Sequence, residues 1–315
     1  MTGPKGTGPG VQLGDLQVER VAPQALLPAL AALYETAPED VAWMADSCEA
    51  AWLVSEVQVV SGQAREVVVG AAGARPSPAH GAELLGGVFG GLRRAEVTAL
   101  LAGAARQALG RVYAFADGRL FSPEPLLQAG WREVGAYRRL EGRPPYRVAA
   151  PPPGVQLVSL AEAPAPARLR ALQSFEDRIG HHAVTPEAAQ AGAGGFDPAL
   201  SVVALDAQGQ GVGVCRATLD MAGDGPPLAR LDAPGVALAW RHTSLRAALL
   251  AEVCARLRAQ GAAHLSMDSW GDTPEELAHD LGWGLHVGDE TPILASPEGP
   301  LPLGAGEGGA VASGA

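Results

Sequence analysis

Thr273-Pro274-Glu275-Glu276-Leu277-Ala278-His279-Asp280-Leu281-Gly282-Trp283 reads as one short helix with both ends marked. Thr273 is an N-cap residue, and Pro274 suits the first helical position because its missing N–H has no intrahelical partner there anyway. Glu276, three residues past the cap, completes a capping box. Gly282 is placed to end the helix in left-handed backbone without a Cβ penalty, and Trp283 follows. The first half of the chain repeats this outline: Ser122-Pro123-Glu124, then Leu126-Leu127, then Ala129-Gly130-Trp131. Upstream, Leu100-Leu101 and Leu249-Leu250 occupy corresponding places in two longer helical stretches. Counterparts lie about 150 residues apart, so the chain reads as two domains and not as a solenoid of short repeats.

Hydrophobic periodicity extends the repeat outward from these helices. The first half shows an alternating strand at 16–21, a helix at 23–34, and a hairpin of strands 51–60 and 66–71 turning through Ser61-Gly62-Gln63. A Pro/Gly loop, a strand at 83–89, a helix carrying Val97, Leu100, Leu101, Ala104 and Ala108 up to Gly110, and a strand at 112–115 follow. The Gly-Trp helix and a strand at 132–140 close this half. The second half has a strand at 155–160, a helix at 165–175, a helix start at Thr185-Pro186-Glu187, and a hairpin of 200–205 with 211–218 turning through 206–210. A strand at 228–238, a helix carrying Leu245, Leu249, Leu250, Val253 and Leu257 up to Gly261, a strand at 264–267, the Gly-Trp helix and a strand at 290–294 complete it. The division is therefore a low-complexity tail at 1–10, a domain at 11–141, a stiff Pro-rich linker at 142–154, a domain at 155–295 and a tail at 296–315. Both tails are Gly, Pro and Ala with few large side chains, and are expected to be disordered.

The chain has 315 residues, a net charge of −11 and a pI near 5.1. It lacks the basic excess that neutralises phosphates, which argues against non-specific binding of nucleic acid or of an anionic membrane. No stretch is long and apolar enough to span a bilayer, and Met1-Thr2-Gly3-Pro4-Lys5-Gly6 does not open a signal peptide, so the cytoplasm is the expected location. Cys48, Cys215 and Cys254 lack metal-ligand spacing and read as small core residues; no metal is expected. Gly304-Ala305-Gly306-Glu307-Gly308-Gly309 satisfies G-x-G-x-x-G, yet no strand precedes it and no helix follows, so it carries no weight.

The order β-α-(α)-β-β-β-α-β-α-β occurs twice. With the junction Val236-Ala237-Leu238-Ala239-Trp240-Arg241 and the downstream Leu281-Gly282-Trp283, it resembles the GNAT superfamily of acyl-CoA N-acyltransferases in a tandem arrangement. The resemblance implies an α/β (α+β) chain of two tandem GNAT-like domains, each a mixed, mostly antiparallel twisted sheet flanked by helices. It implies acetyl-CoA as co-substrate, a small-molecule amine as acceptor, and a monomer that is an internal pseudo-dimer. In the family a Val-x-Pro strand runs into an Arg/Gln-x-x-Gly-x-Gly/Ala loop, where N–H groups at a helix start meet the cofactor pyrophosphate. Val236, Leu238 and Arg241-His242-Thr243-Ser244-Leu245-Arg246 stand at those positions and are the implied cofactor contacts. Arg241 matches, Ser244 offers a hydroxyl, and Arg246 brings a long cationic side chain where a bare glycine is usual. The first half keeps Val88 and Arg93 at the same spacing, but Arg93-Arg94-Ala95-Glu96-Val97 is one residue shorter and puts the Glu96 carboxylate in the anion cradle. The second half is therefore expected to hold the cofactor.

Catalysis in the family rests on a carboxylate, or a water it orients, that takes the amine proton, and on a tyrosine four residues before the helix-ending glycine. Asp232, four residues before Val236, is the base candidate, with Glu83 its counterpart in the first half. The plainer reading of Asp232, just before Ala233-Pro234-Gly235, is a turn carboxylate, and that of Glu83 is a surface residue. Ala278 and Leu126 stand at the tyrosine positions, and neither can donate a proton. His181-His182 falls where acceptor pockets are shaped in the family, although adjacent histidines are usually just exposed; Trp131 and Trp283 read as core plugs. Two functions stay open: an acetyl-CoA-dependent N-acetyltransferase acting on a small amine, or a degenerate module that binds acyl-CoA or a protein partner without turnover. An acidic surface favours cationic amines.

Overall fold

A computed structural model of the chain describes residues 12–60, 63–220, 227–270 and 273–297. The expectations for 1–10, for 298–315 with its Gly-rich motif, and for the Ser61-Gly62 turn fall outside the described residues.

The first half opens as an antiparallel meander, β1 (Gln12–Val21), β2 (Ala50–Val60), β3 (Gln63–Ser77) and β4 (Gly81–Val88). Alternation along these strands supplies two apolar faces. Ala51, Ala71 and Leu85 pack under α1 (Leu27–Tyr34) and α2 (Pro38–Asp46). Ala50, Trp52, Ala72, Ala74 and Leu84 pack under α3 (Arg94–Leu109). A parallel strand β5 (Val112–Phe115) follows, then α4 (Pro123–Gln128) and β6 (Arg132–Gly142).

The second half lays down β7 (Gln156–Ser159), α5 (Ala165–Leu172), β8 (Val202–Leu205), β9 (Gly211–Cys215), β10 (Ala217–Asp220), β11 (Leu228–Asp232) and β12 (Gly235–Val236). It ends with α6 (Leu245–Ala259), β13 (His264–Trp270), α7 (Pro274–Gly282) and β14 (His286–Ala295). The strands form a ten-stranded sheet, β1-β2-β3-β4-β5-β14-β6-β13-β11-β10, and a four-stranded one, β12-β9-β8-β7.

That order contains an exchange. The last strand of the second half, β14, lies between β5 and β6 of the first half, and β6 in turn pairs with β13. Leu140 of β6 is buried in the core under α6, and Leu294 of β14 in the core under α3. Each half thus buries a leucine of the other, worth about 1.5–3 kcal/mol of apolar burial apiece. The halves share one continuous sheet as a result.

Several local expectations are corrected. β3 runs on to Ser77 through the stretch expected to be a loop, because Ala71, Ala72, Gly73 and Ala74 are small enough to sit between two helical layers. At Gly73 a Cβ would fall 2.4 Å from Cys48 Sγ. The helix α2 is additional, with Pro38 at its start and Glu39 and Asp40 in its first turn. Thr185-Pro186-Glu187 makes isolated turns and no helix, and Gly192, Gly194 and Gly195 follow at positive φ. The strand expected at 228–238 breaks at Ala233-Pro234, since proline has no N–H for the ladder: β11 stays in the large sheet and β12 joins the small one. Gly130 has the expected left-handed backbone, φ 82°, but Gly282 is the last helical residue of α7 and Gly284, φ 92°, makes that step. Trp131 is a buried plug; Trp283 is half-buried with the Arg147 guanidinium over its ring. Among the described residues no helix is long and apolar enough to cross a membrane.

Candidate active site

The break at Pro234 creates the site. β11 and β13 run parallel and in register from Leu228 opposite His264 to Asp232 opposite Asp268, and Ala233 N–H still reaches the Asp268 carbonyl. Beyond that row the strands part, as β12 turns to pair with β9. Ala229 and Leu231 point into the core under α6, so the alternating Arg230 and Asp232 point to the opposite face. Asp232 ends the paired row with a side chain only 13% exposed, accepting from Arg216 Nε at 2.8 Å and Nη2 at 2.5 Å. Burial raises its carboxyl above the usual aspartate value against the opposing pull of Arg216, and the neighbouring Asp268 charge adds to the rise.

The exchanged strand brings a phenol to the same row. Tyr137 on β6 donates to Asp268 Oδ1 at 2.8 Å, and its ring lies 4.5 Å from that of Trp270, its register partner on β13. Burial, then the hydrogen bond to Asp268, push the phenol well above its ordinary value, so it is a neutral hydrogen-bond donor. Trp270 also meets Phe115 and His181 edge to face. His181 stacks on Phe175 at 4.9 Å, and burial with the Arg178 and Arg216 charges holds its imidazole at about 3, hence neutral. From Tyr137 and Asp268 a cleft of about 750 Å³ runs over the open face of β6, β13 and β11, past Ser266 and Arg230 to His264.

Behind the parted strands lies a chain of buried ion pairs. Arg246, at the start of α6, donates to the Pro234 carbonyl at 2.7 Å and to Asp280 of α7 at 2.5 Å, and lies 3.7 Å from Glu276. Arg178 donates to both Glu276 oxygens, at 2.5 and 2.6 Å. Burial alone would raise the Glu276 carboxyl, but the Arg178 hydrogen bonds and the two arginine charges bring it down to about 2. The capping box foreseen at Thr273 forms, and the same glutamate ties α7 to two other segments.

In the first half the strands are closed off by a loop, while a cavity of about 190 Å³ lies at the end of β4, lined by Val88, Gly90, Gly91, Arg93, Arg94 and Val97. Val88 N–H donates to the Leu120 carbonyl at 2.9 Å, wedging the 117–121 loop against the end of β4. Gly87 permits this approach, since a Cβ there would come within 2.8 Å of Leu120. Glu83 is buried rather than on the surface, and lies 2.6 Å from His182 Nε2, with His182 Nδ1 2.7 Å from the Pro76 carbonyl. His182, expected to be exposed, is thus a contact between the halves. Arg93 pairs with Glu96 and donates to the Gly14 carbonyl, while Arg94 donates to Ser122 Oγ and to the carbonyls of Gly118 and Arg119.

No family model built on sequence matches the chain, and no curated protein matches it either. Solved structures do. A GCN5-related N-acetyltransferase from Sphaerobacter thermophilus superposes with a TM-score of 0.51 over 91% of this chain and 98% of its own, at 18% identity. A conserved Enterococcus faecalis protein of unknown function gives 0.55 over 90% and 72%, at 10% identity, and a GCN5-related N-acetyltransferase from Anabaena variabilis 0.54 over 89% and 72%, at 11%. The fold is that of the GNAT N-acetyltransferases. It is built here twice, with last strands exchanged.

In GNAT terms, the turn expected to meet pyrophosphate is partly rearranged. His242, Thr243 and Ser244 are exposed, and Ser244 Oγ donates to the Ala150 carbonyl of the linker, which docks along α6. Leu238 is also exposed, whereas Val236 and Leu245 are core residues. Arg246 turns inward to Asp280, because a guanidinium beside two buried carboxylates is held there more firmly than in water. Arg241 is drawn back as well, donating to the Val236 carbonyl at 3.0 Å and to Asp177 at 2.7 Å. Tyr137, Asp268, Arg216 and Arg178 are parts of the site that the sequence reading did not single out. For Asp268 a signal existed, in the polar alternation His264, Ser266, Asp268 of a strand with apolar intervening residues.

Proposed function

We propose that the chain is an acyl-CoA-dependent N-acyltransferase acting on a small amine, with the chemistry in the second half. The observation that carries this is the Asp232 carboxylate, raised by burial and set where β11 and β12 part from β13, beside Asp268 and Tyr137. A carboxylate with a raised pKa is the better base for an ammonium ion near neutral pH. Bound acyl-CoA supplies an activated acyl group as a thioester. The exposed His242-Thr243-Ser244 turn, ahead of the α6 start, suits phosphate, with Arg241 positioning the turn from beneath. Asp232 takes the proton of the acceptor ammonium, Arg216 and Tyr137 hold the two carboxylates in place, and the neutral His181 and Trp270 wall the site with apolar rings.

A second reading, a module that binds without transferring, is favoured by one observation: the Arg178–Glu276 and Arg246–Asp280 pairs lie behind the parting of the strands, where a thioester arm would have to pass. Calorimetric titration with acetyl-CoA, on the full chain and on Ser244→Glu, tests the cofactor placement. The variant is expected to lose at least about ten-fold in affinity by setting a carboxylate against phosphate. Equal affinity would move the cofactor away from this turn, and the absence of binding would remove the transferase reading altogether.

A further inference from the structure

The cavity of about 190 Å³ at the end of β4 contains a buried carboxylate whose accepting capacity the fold leaves partly unfilled. On β2 the face under α3 carries Trp52 and Val54, and alternation puts Glu56 next in that row. Glu56 is only 6% exposed and lines the cavity. Its Oε1 accepts from Gln58 Nε2 at 2.6 Å. Its Oε2 has Arg93 Nη1 at 3.8 Å, beyond hydrogen-bond distance. Arg93 is held back by other acceptors: Nη1 donates to the Gly14 carbonyl at 2.7 Å, and Nε and Nη2 donate to Glu96. An ionised carboxylate accepts at both oxygens, and a buried one short of donors is a place for a ligand's O–H or N–H. The rest of the wall is largely apolar, from Val69, Val88, Phe89 and Val97, and Leu92, which also lines the cavity, is 96% exposed.

The charges on the wall decide what fits. An anion would meet Glu56 as a like charge, and a cation would meet Arg93 and Arg94, which line the same space. An uncharged ligand meets neither penalty. Size narrows the choice further, since an apolar cavity of roughly 150 Å³ takes benzene, and about 190 Å³ has room for one aromatic ring with a polar substituent. We infer that this cavity binds a small uncharged aromatic of the phenol or aniline class, its ring against Val69, Val88, Phe89 and Val97 and its O–H or N–H donated to Glu56 Oε2. The site belongs to the first half, so it stands whether or not transfer occurs at Asp232 in the second.

The experiment is calorimetric titration of the full chain with phenol, toluene, benzoate and benzylamine, with amide NMR spectra to locate the bound probe, repeated on Glu56→Met and Glu56→Gln. Phenol is expected to bind at least about ten-fold more tightly than the other three, because only it pairs an uncharged ring with a donor, and to shift the amide signals of Gly90 and Gly91. Glu56→Met is expected to bring phenol down to the level of toluene. Glu56→Gln keeps the shape of the side chain and one acceptor oxygen but not the charge, and is expected to lose at least about three-fold in phenol affinity. If Glu56→Met fails to fold, the ligand series and Glu56→Gln decide. Toluene, benzoate or benzylamine binding as tightly as phenol, an unchanged phenol affinity in Glu56→Gln, phenol that leaves Gly90 and Gly91 unmoved, or no phenol binding at millimolar concentration would each overturn the inference. None of these readouts depends on acetyl-CoA, so failure here leaves the transferase reading intact, and failure of thiol release leaves this site intact.

Discussion

Asp280→Ala decides whether Arg246 belongs to the core or to a phosphate site. Asp280 is fully buried and accepts from Arg246, whose side chain is 8% exposed. After the substitution the guanidinium keeps the Pro234 carbonyl and a Glu276 oxygen at 3.7 Å, but loses its closest countercharge. Removing one partner of a buried pair costs about 3–5 kcal/mol, and the contacts that Arg246 keeps place this case near the lower end, at about 3 kcal/mol. For a 315-residue chain whose halves share one sheet, that lowers the melting temperature by roughly 5 °C. Differential scanning calorimetry reads this directly. The double variant Arg246→Met/Asp280→Leu, which replaces the pair by apolar groups of similar size, is expected to recover most of the loss. A shift below about 1 kcal/mol, the scale of a solvent-exposed pair, would refute the reasoning and put Arg246 in water, free to meet an anion.

Three further outcomes follow from the same geometry. Glu276 has its carboxyl lowered from 4.5 to about 2, so its contribution is fully present above pH 4.5 and is lost as pH falls towards 2; the ceiling is about 3 kcal/mol, reduced by screening to about 2, and Glu276→Gln should flatten that part of an acid-denaturation curve. Gly81→Ala should cost more than about 1 kcal/mol in urea unfolding, because at φ 83° the new Cβ would fall 2.3 Å from the Arg111 carbonyl oxygen; an unchanged midpoint would contradict the turn between β3 and β4. Glu83→Gln should leave transfer rates within about two-fold while weakening the His182 contact, since the Glu83 carboxylate is engaged by His182 of the other half; a loss of about 100-fold in rate would return catalysis to the first half.

The fold was legible where local rules and tertiary packing agree. The capped helix at Thr273, the turn at Gly130 and the helix stopped by Gly110 and its counterpart at Gly261 announce themselves through caps and periodicity, and they fix the repeat. The break at Pro234 was legible in principle, as proline inside a presumed strand. The exchange of β6 and β14 was not, because each strand has the same alternating pattern whichever half it joins. The site divided along the same line. Asp232 was reached from its spacing to Val236 along the chain, although the break at Pro234 puts the two on different strands, β11 and β12. Tyr137 and Arg178 reach their partners across 131 and 98 residues of sequence, and nothing local to either marks it. Arg246 was misread as facing a ligand because the carboxylates that draw it inward sit on α7, a helix read only for its caps.

The central claim is that the Asp232 row performs N-acyl transfer, and thiol release from acetyl-CoA with added amine tests it most directly. Wild-type protein is expected to release thiol in proportion to amine, with a rate that rises through a pKa above that of an ordinary aspartate, and Asp232→Asn to lose about 100- to 10,000-fold. Release no faster than in the absence of protein, or an Asp232→Asn rate equal to wild type, would contradict it.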